Sequence, residues 1–144
     1  PYPKLYFAGY TQDALKEYVE ASLVHDLIGN RELTTPAELG VESNTWLNGL
    51  AEASTELRRR ILDIIRHGHT GEAENLLTMM DDVYSILVTF DFTDAITGGL
   101  RRRTDTVRAV LERTRGDITT SLRQAELQAA LEAMETMLAK QSSQ

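Results

Sequence analysis

The stretch TWLNGLAEASTELRRRILDIIR, residues 45–66, decides the fold. Within it Trp46, Leu50, Ala53, Leu57, Ile61 and Ile64 recur at spacings of three and four, the period that lines side chains up on one face of an α-helix. Asn48, Glu52, Glu56, Arg59, Arg60 and Asp63 fall on the opposite face. A strand would alternate apolar and polar residues with a period of two, and this stretch does not.

The same helical period extends outward on both sides. A first helix is predicted over 6–28, stopped by Gly29-Asn30. The loop after it holds one short helical turn at Thr35-Pro36-Ala37-Glu38, with proline in the first turn. After the helix over 45–66, which ends at Gly68, a third helix is predicted over 71–89, then a loop over 91–98 and a fourth helix from residue 99 onward. In that last helix Leu100, Thr104, Val107, Leu111, Thr114, Ile118, Leu122 and Ala125 keep the period through Gly116. One long helix, straight or slightly bent at the glycine, is therefore expected, with Arg115-Gly116-Asp117 inside it. Met79, Met80, Met134 and Met137 sit at helical spacing and read as core filling. The expectation is an all-α, antiparallel helical bundle forming one domain over 1–144.

Composition narrows the function. A chain of 144 residues with 42% hydrophobic side chains can bury a core. With no cysteine, a disulfide framework and thiolate catalysis are excluded, which fits a cytoplasmic protein. No apolar run approaches the ~18 residues of a membrane span, and no signal peptide opens the chain. The net charge of −7 argues against a protein that simply coats nucleic acid with basic surface, although arginines cluster at 58–60 and 101–103. The opening Pro1-Tyr2-Pro3, without an initiator methionine, reads as a fragment of a longer protein.

Two carboxylate pairs stand out. Glu17 and Glu20 share a face of the first helix at i,i+3, with Cβ atoms about 5–6 Å apart. Tyr10, Val24, Leu27 and Ile28 share that face, while Leu15, Tyr18, Val19 and Leu23 line the other side. A helix apolar on two sides is expected to be sandwiched, and buried carboxylates then need a cation, because desolvation costs on the order of several kcal/mol. If the helix is only half covered, the pair is simply solvated. Glu52 and Glu56 lie at i,i+4 on the second helix. Either they face solvent with a Glu56–Arg60 pair, or they converge with Glu17 and Glu20 on a hard cation, Mg²⁺ or Mn²⁺, which takes oxygen ligands of this kind.

The basic residues allow a similar choice. Arg101, Arg108 and Arg115 recur every seven residues, one stripe with steps of about 10 Å that suits a phosphate backbone. Asp105 and Glu112, four residues after Arg101 and Arg108, could instead neutralise it. His67 and His69 flank Gly68 with no third ligand and read as capping or solvent-facing. No glycine-rich phosphate loop or serine elbow is present.

Taken together, these stretches resemble the translin/TRAX family in its archaeal-type form. Ala14-Leu15-Lys16-Glu17-Tyr18-Val19-Glu20-Ala21 resembles the Leu-Gln-Glu-Tyr-Val-Glu-Ala stretch of TRAX. Trp46-Leu47-Asn48-Gly49-Leu50-Ala51-Glu52, followed by Glu56-Leu57, resembles its Tyr-Leu-Leu-Gly-Val-Ala-Asp and Gly-Glu-Leu segments. Leu100-Arg101-Arg102-Arg103-Thr104-Asp105 is similar to the Leu-Arg-Lys-Arg-Tyr-Asp of translin. The resemblance spans about 5–122. It implies a bundle of seven or so helices in an octamer-like shell around RNA, with lumen-facing acidic residues that bind Mg²⁺ or Mn²⁺ and cleave RNA. By position Glu17, Glu20 and Glu56 match acidic residues of the family, and Glu52 stands where TRAX has aspartate, a ligand longer by one methylene. The family's two opening helices would precede Pro1.

The sequence therefore points to a metal-dependent endoribonuclease subunit of a homo-oligomer. Glu17, Glu20, Glu52 and Glu56 would be its metal ligands, the first three catalytic, and Arg101, Arg108 and Arg115 its nucleic-acid contacts. A non-catalytic shell binding single-stranded RNA or DNA is the alternative. An all-α nucleotide pyrophosphatase, which also uses Glu-x-x-Glu on one helix, stands further off. A ferritin-like di-iron centre fits poorly, since neither helix has the Glu-x-x-His it requires.

Overall fold

The computed structural model describes residues 2–68 and 70–142, Thr70 by its backbone alone, so Pro1 and His69 lie outside the described residues. Among the described residues seven helices follow in order: α1 (Pro3–Tyr6), α2 (Gly9–Ile28), α3 (Pro36–Leu39), α4 (Ser43–Arg66), α5 (Thr70–Leu87), α6 (Asp94–Thr97) and α7 (Leu100–Ser142). The all-α bundle expected from the periodicity is what forms. The predicted first helix starts at Gly9, three residues later than expected, and the separate turn α1 precedes it. Across the junction the side-chain amide of Gln12 donates to the Tyr6 carbonyl at 2.7 Å, and Tyr6 and Phe7 pack edge to face. The short helical turn that opens on Pro36 forms as its sequence suggested, and Thr35 and Glu38 close a capping box on it.

Helix α4 is the centre of the bundle, and α2, α5 and α7 all pack on it. Its buried face (Leu50, Ala53, Leu57, Ile61, Ile64) joins Val19 and Leu23 of α2, Met80 and Leu87 of α5, and Val107, Leu111 and Ile118 of α7. The antiparallel order holds at the α4–α5 turn, where Arg60 meets Glu72 at 2.9 Å, and between α5 and α7, where Arg115 meets Asp81 at 3.3 Å. Helices α2 and α7, by contrast, run in the same direction as α4. Thr45 bonds Gln12 at 3.0 Å near the start of α2 and α4, and Val24 and Ile28 share a cleft with Arg59 and Arg66 near their ends. Along α7, Asn48 and Glu52 pair with Arg103, and six residues after Glu52, Arg58 pairs with Asp117 at 2.7 Å.

The crossover that makes α2 and α4 parallel is pinned by Asp26. Its buried carboxylate accepts from the Thr34 backbone N–H at 2.9 Å and the Thr34 hydroxyl at 2.7 Å. The Thr34 carbonyl in turn accepts from the Trp46 indole at 2.8 Å. The backbone bond, then the hydroxyl bond, hold the Asp26 carboxyl below the ordinary carboxylate range, against the opposing push of burial.

Two expectations need correction. Helix α2 is not sandwiched within the chain. It buries Val19, Leu23 and Leu27 against α4, while Tyr10, Tyr18 and Ile28 stay exposed. Met134 and Met137 are not core. Helix α7 is one helix through Gly116, 43 residues against 24 for α4, about 65 Å against about 36 Å at 1.5 Å per residue. It outruns its partners, so burial ends at Ile118 and the methionines are exposed. No described helix is long and apolar enough to cross a membrane.

Candidate functional site

Because α2 and α7 flank α4 on two sides, the polar face of α4 floors an open furrow between them. Gly49 allows the α2 wall to come close: a Cβ there would lie 2.5 Å from Val19 Cγ1 and 3.2 Å from the Lys16 carbonyl oxygen. This contact sets Lys16, Glu17 and Glu20 beside the polar face that begins at Asn48. The α7 wall is set by the α6–α7 turn, whose glycines Gly98 and Gly99 have φ of 62° and 82°, values that L side chains rarely adopt. Asn48 donates to the Thr97 carbonyl at 2.7 Å and so ties that turn to α4.

At the centre of the furrow one oxygen of Glu52 meets two cations. Its Oε1 lies 3.0 Å from Lys16 Nζ and 3.0 Å from Arg103 Nε. Arg103 Nη1 also donates to Asn48 Oδ1 and to the Gly98 carbonyl, each at 3.1 Å. A cleft of about 240 Å³ opens here, lined by Gln12, Lys16, Asn48 and Arg103 among others.

One turn further on, Glu20 feels the other carboxylates. Partial burial raises its carboxyl above the ordinary range; repulsion from Glu52 and then Glu56 raises it further, Lys16 opposes, and Glu17 adds a smaller push. Beside Glu56 lies a cleft of about 570 Å³ between α2 and α4, lined by Val24, Ile28, Leu62, Arg59, Arg60 and Arg66 among others. Arg66 is paired with Asp63 at 3.1 Å and Arg60 with Glu72, so the Glu56–Arg60 pair anticipated from spacing does not form. Among the described residues Arg59 has no ion pair.

Of the four carboxylates singled out by sequence, Glu52, Glu56 and Glu17 thus lie near enough to Glu20 to raise its carboxyl. Among the described residues, however, no three acidic or histidine side chains are arranged to hold one metal ion. In charge and donor type the set suits Mg²⁺ or Mn²⁺, with repulsion at Glu20 that a cation would relieve. At Glu52 a cation would compete with Lys16 and Arg103, which both hold Oε1. The arginine stripe is elsewhere: Arg115 pairs with Asp81 of α5, which puts Arg101, Arg108 and Arg115 on the flank of α7 away from the furrow. Neither Arg101–Asp105 nor Arg108–Glu112 pairs among the described residues. Arg103, Lys16 and Arg59 were not picked out by sequence. A signal for Arg103 existed, since it lies inside the stretch 100–105 that resembles translin.

Comparison with known proteins supplies the relatives. The structure of AfC3PO in complex with duplex RNA and the crystal structure of AfC3PO each superpose on this chain with a TM-score of 0.78 at 36% identity, over 88% of the chain. The chain is translin-like. It spans 65% of the length of those structures, less than two thirds. An uncharacterized protein of Methanocaldococcus jannaschii is 29% identical over 136 residues, 94% of this translin-like chain and 61% of that protein. No protein-family model matches the chain. The three stretches that carried the resemblance fall on α2, on α4 and at the start of α7, the three elements that build the furrow.

Proposed function

We propose that this chain is an RNA-binding subunit of a hollow translin-like homo-oligomer, octamer-like in form, that cuts RNA with Mg²⁺ or Mn²⁺ held by Glu17, Glu20, Glu52 and Glu56. The observation that carries the reading is the meeting of Glu20 with Glu17, Glu52 and Glu56 across α2 and α4, flanked on both sides by clefts with basic residues. The AfC3PO relative, solved with duplex RNA, supports RNA as the ligand.

A divalent ion bound here would lower the pKa of a water and offset charge on the phosphate. The chain's own groups do the rest. Glu20, with its raised proton affinity, is the carboxylate best suited to take a proton from the attacking water. Lys16 and Arg103 face the same cleft and can offset phosphate charge. Arg59, with Arg66, can anchor the backbone beyond Glu56. Catalysis is thus assigned to Glu17, Glu20 and Glu52.

One observation favours a non-catalytic shell that binds single-stranded RNA or DNA: Glu52 is already neutralised by two cations. Cleavage of single-stranded RNA at matched Mn²⁺, read on a gel, decides between the two. Wild-type cleavage together with an inactive but binding-competent Glu20→Gln supports the nuclease. Equal cleavage by both proteins removes Glu20 from the site, and wild-type binding without cleavage favours the shell. Hydrolysis of free nucleoside triphosphates in place of RNA would favour the pyrophosphatase. A monomer by light scattering at micromolar concentration would contradict the oligomer.

A further inference from the structure

Of the four furrow carboxylates, Glu52 is the one that two side-chain cations hold, and both hold the same oxygen, each at 3.0 Å. We infer that Lys16 and Arg103 are built-in counter-cations of Glu52, with which a divalent ion must compete for this ligand. The inference rests on the proposed reading that the furrow carboxylates take a divalent ion.

The geometry suits a displaceable clamp more than a permanent bridge. Lys16 and Glu52 keep 18% and 30% of their side chains exposed, so the pair is shielded enough to count and open enough to exchange with a solute. Arg103 does not depend on Glu52 for its place. Its Nη1 is held by Asn48 Oδ1 and the Gly98 carbonyl, and Asn48 is itself fixed by its bonds to the Asn44 and Thr97 carbonyls, both 2.7 Å. If Glu52 turns away, the guanidinium keeps two acceptors, and Arg103 Nε and Lys16 Nζ are left with free donors in the cleft. Those donors suit a phosphate oxygen. The arrangement therefore links the two ligands: as Glu52 moves from the side-chain cations to the metal, the freed cations become available to the anion.

The test compares Mn²⁺ affinity, by calorimetry, of the wild type, Arg103→Gln and Arg102→Gln. Arg102 is the adjacent exposed arginine and has no ion pair among the described residues, so its substitution controls for the loss of one positive charge nearby. Arg103→Gln is expected to tighten Mn²⁺ binding by about five- to tenfold, against less than about twofold for Arg102→Gln, because only the former removes a direct competitor for Glu52. Lys16→Gln, made from the α2 side, should act in the same direction and covers the case in which Arg103→Gln folds poorly. Thermal unfolding gives a second readout: Mn²⁺ should raise the Tm of Arg103→Gln by more than that of the wild type. Equal affinities for Arg103→Gln and Arg102→Gln, or weaker binding by Arg103→Gln and Lys16→Gln, overturn the clamp while leaving the metal site standing. Absence of Mn²⁺ binding by all the proteins overturns the metal reading and the clamp together.

Discussion

Gly49 of α4 lies against Val19 of α2 so closely that a Cβ on the glycine would stand 2.5 Å from Val19 Cγ1 and 2.8 Å from Val19 Cβ. The neighbour is the stiff stem of a β-branched side chain and cannot swing aside. Alanine favours a helix by about 1 kcal/mol over glycine, but overpacking a tight contact costs about 1–3 kcal/mol. Gly49→Ala should therefore lower stability by up to about 2 kcal/mol net, read from urea denaturation. Because the same contact sets Glu17 and Glu20 of α2 beside the polar face of α4, the variant should also weaken Mn²⁺ binding. Unchanged stability would mean that the two helices can separate at no cost.

Glu20→Gln should raise the Tm of the metal-free protein at neutral pH. A carboxyl whose proton affinity is raised on folding contributes stability below its unfolded pKa, and that contribution is lost as pH rises through the folded pKa. The advantage of glutamine should therefore be small near pH 4 and grow toward pH 7, as repulsion from Glu52, Glu56 and Glu17 develops. Saturating Mn²⁺ should reverse the order of the two proteins. Parallel melting temperatures across this pH range would show that the carboxylates do not interact.

Asp26→Asn should destabilise the fold by about 1–3 kcal/mol at pH 7, since the charge-assisted bonds to Thr34 weaken inside a buried site. The sign with pH is opposite to that of Glu20. A carboxyl lowered on folding contributes stability above its unfolded pKa, and this is lost as pH falls through the still lower folded value. The gap between wild type and Asp26→Asn should close below about pH 3–4, the ordinary aspartate range, in denaturation curves taken across acid pH. A gap that persists in acid would mean that the bonds owe nothing to the charge.

Arg59→Gln should weaken RNA binding for all sequences alike and reduce the slope of log affinity against log salt by about one, as the loss of one phosphate contact does. Arg108→Gln, on the other flank of α7, should change it less. A filter-binding titration at several salt concentrations ranks the two, and a larger effect at Arg108 would return the phosphate track to the stripe at 101, 108 and 115.

The sequence by itself determined that the protein is helical, where α4 begins and ends to within a few residues, and that Glu17/Glu20 and Glu52/Glu56 are pairs on helix faces. These are local facts: a period of three to four residues and a side-chain offset along one helix settle them. Only the tertiary structure decided which faces meet. The parallel course of α2 and α4 depends on the crossover pinned by Asp26, Thr34 and Trp46, and no periodicity encodes it. The crossover sets Glu20 among Glu17, Glu52 and Glu56, while the course of α7 brings Arg103 to Glu52 and leaves Arg115 with Asp81. Arg101 and Arg103 are two residues apart, yet about 200° apart around the axis at ~100° per residue, so the packing angle of α7 on α4 alone decides which of them reaches the furrow.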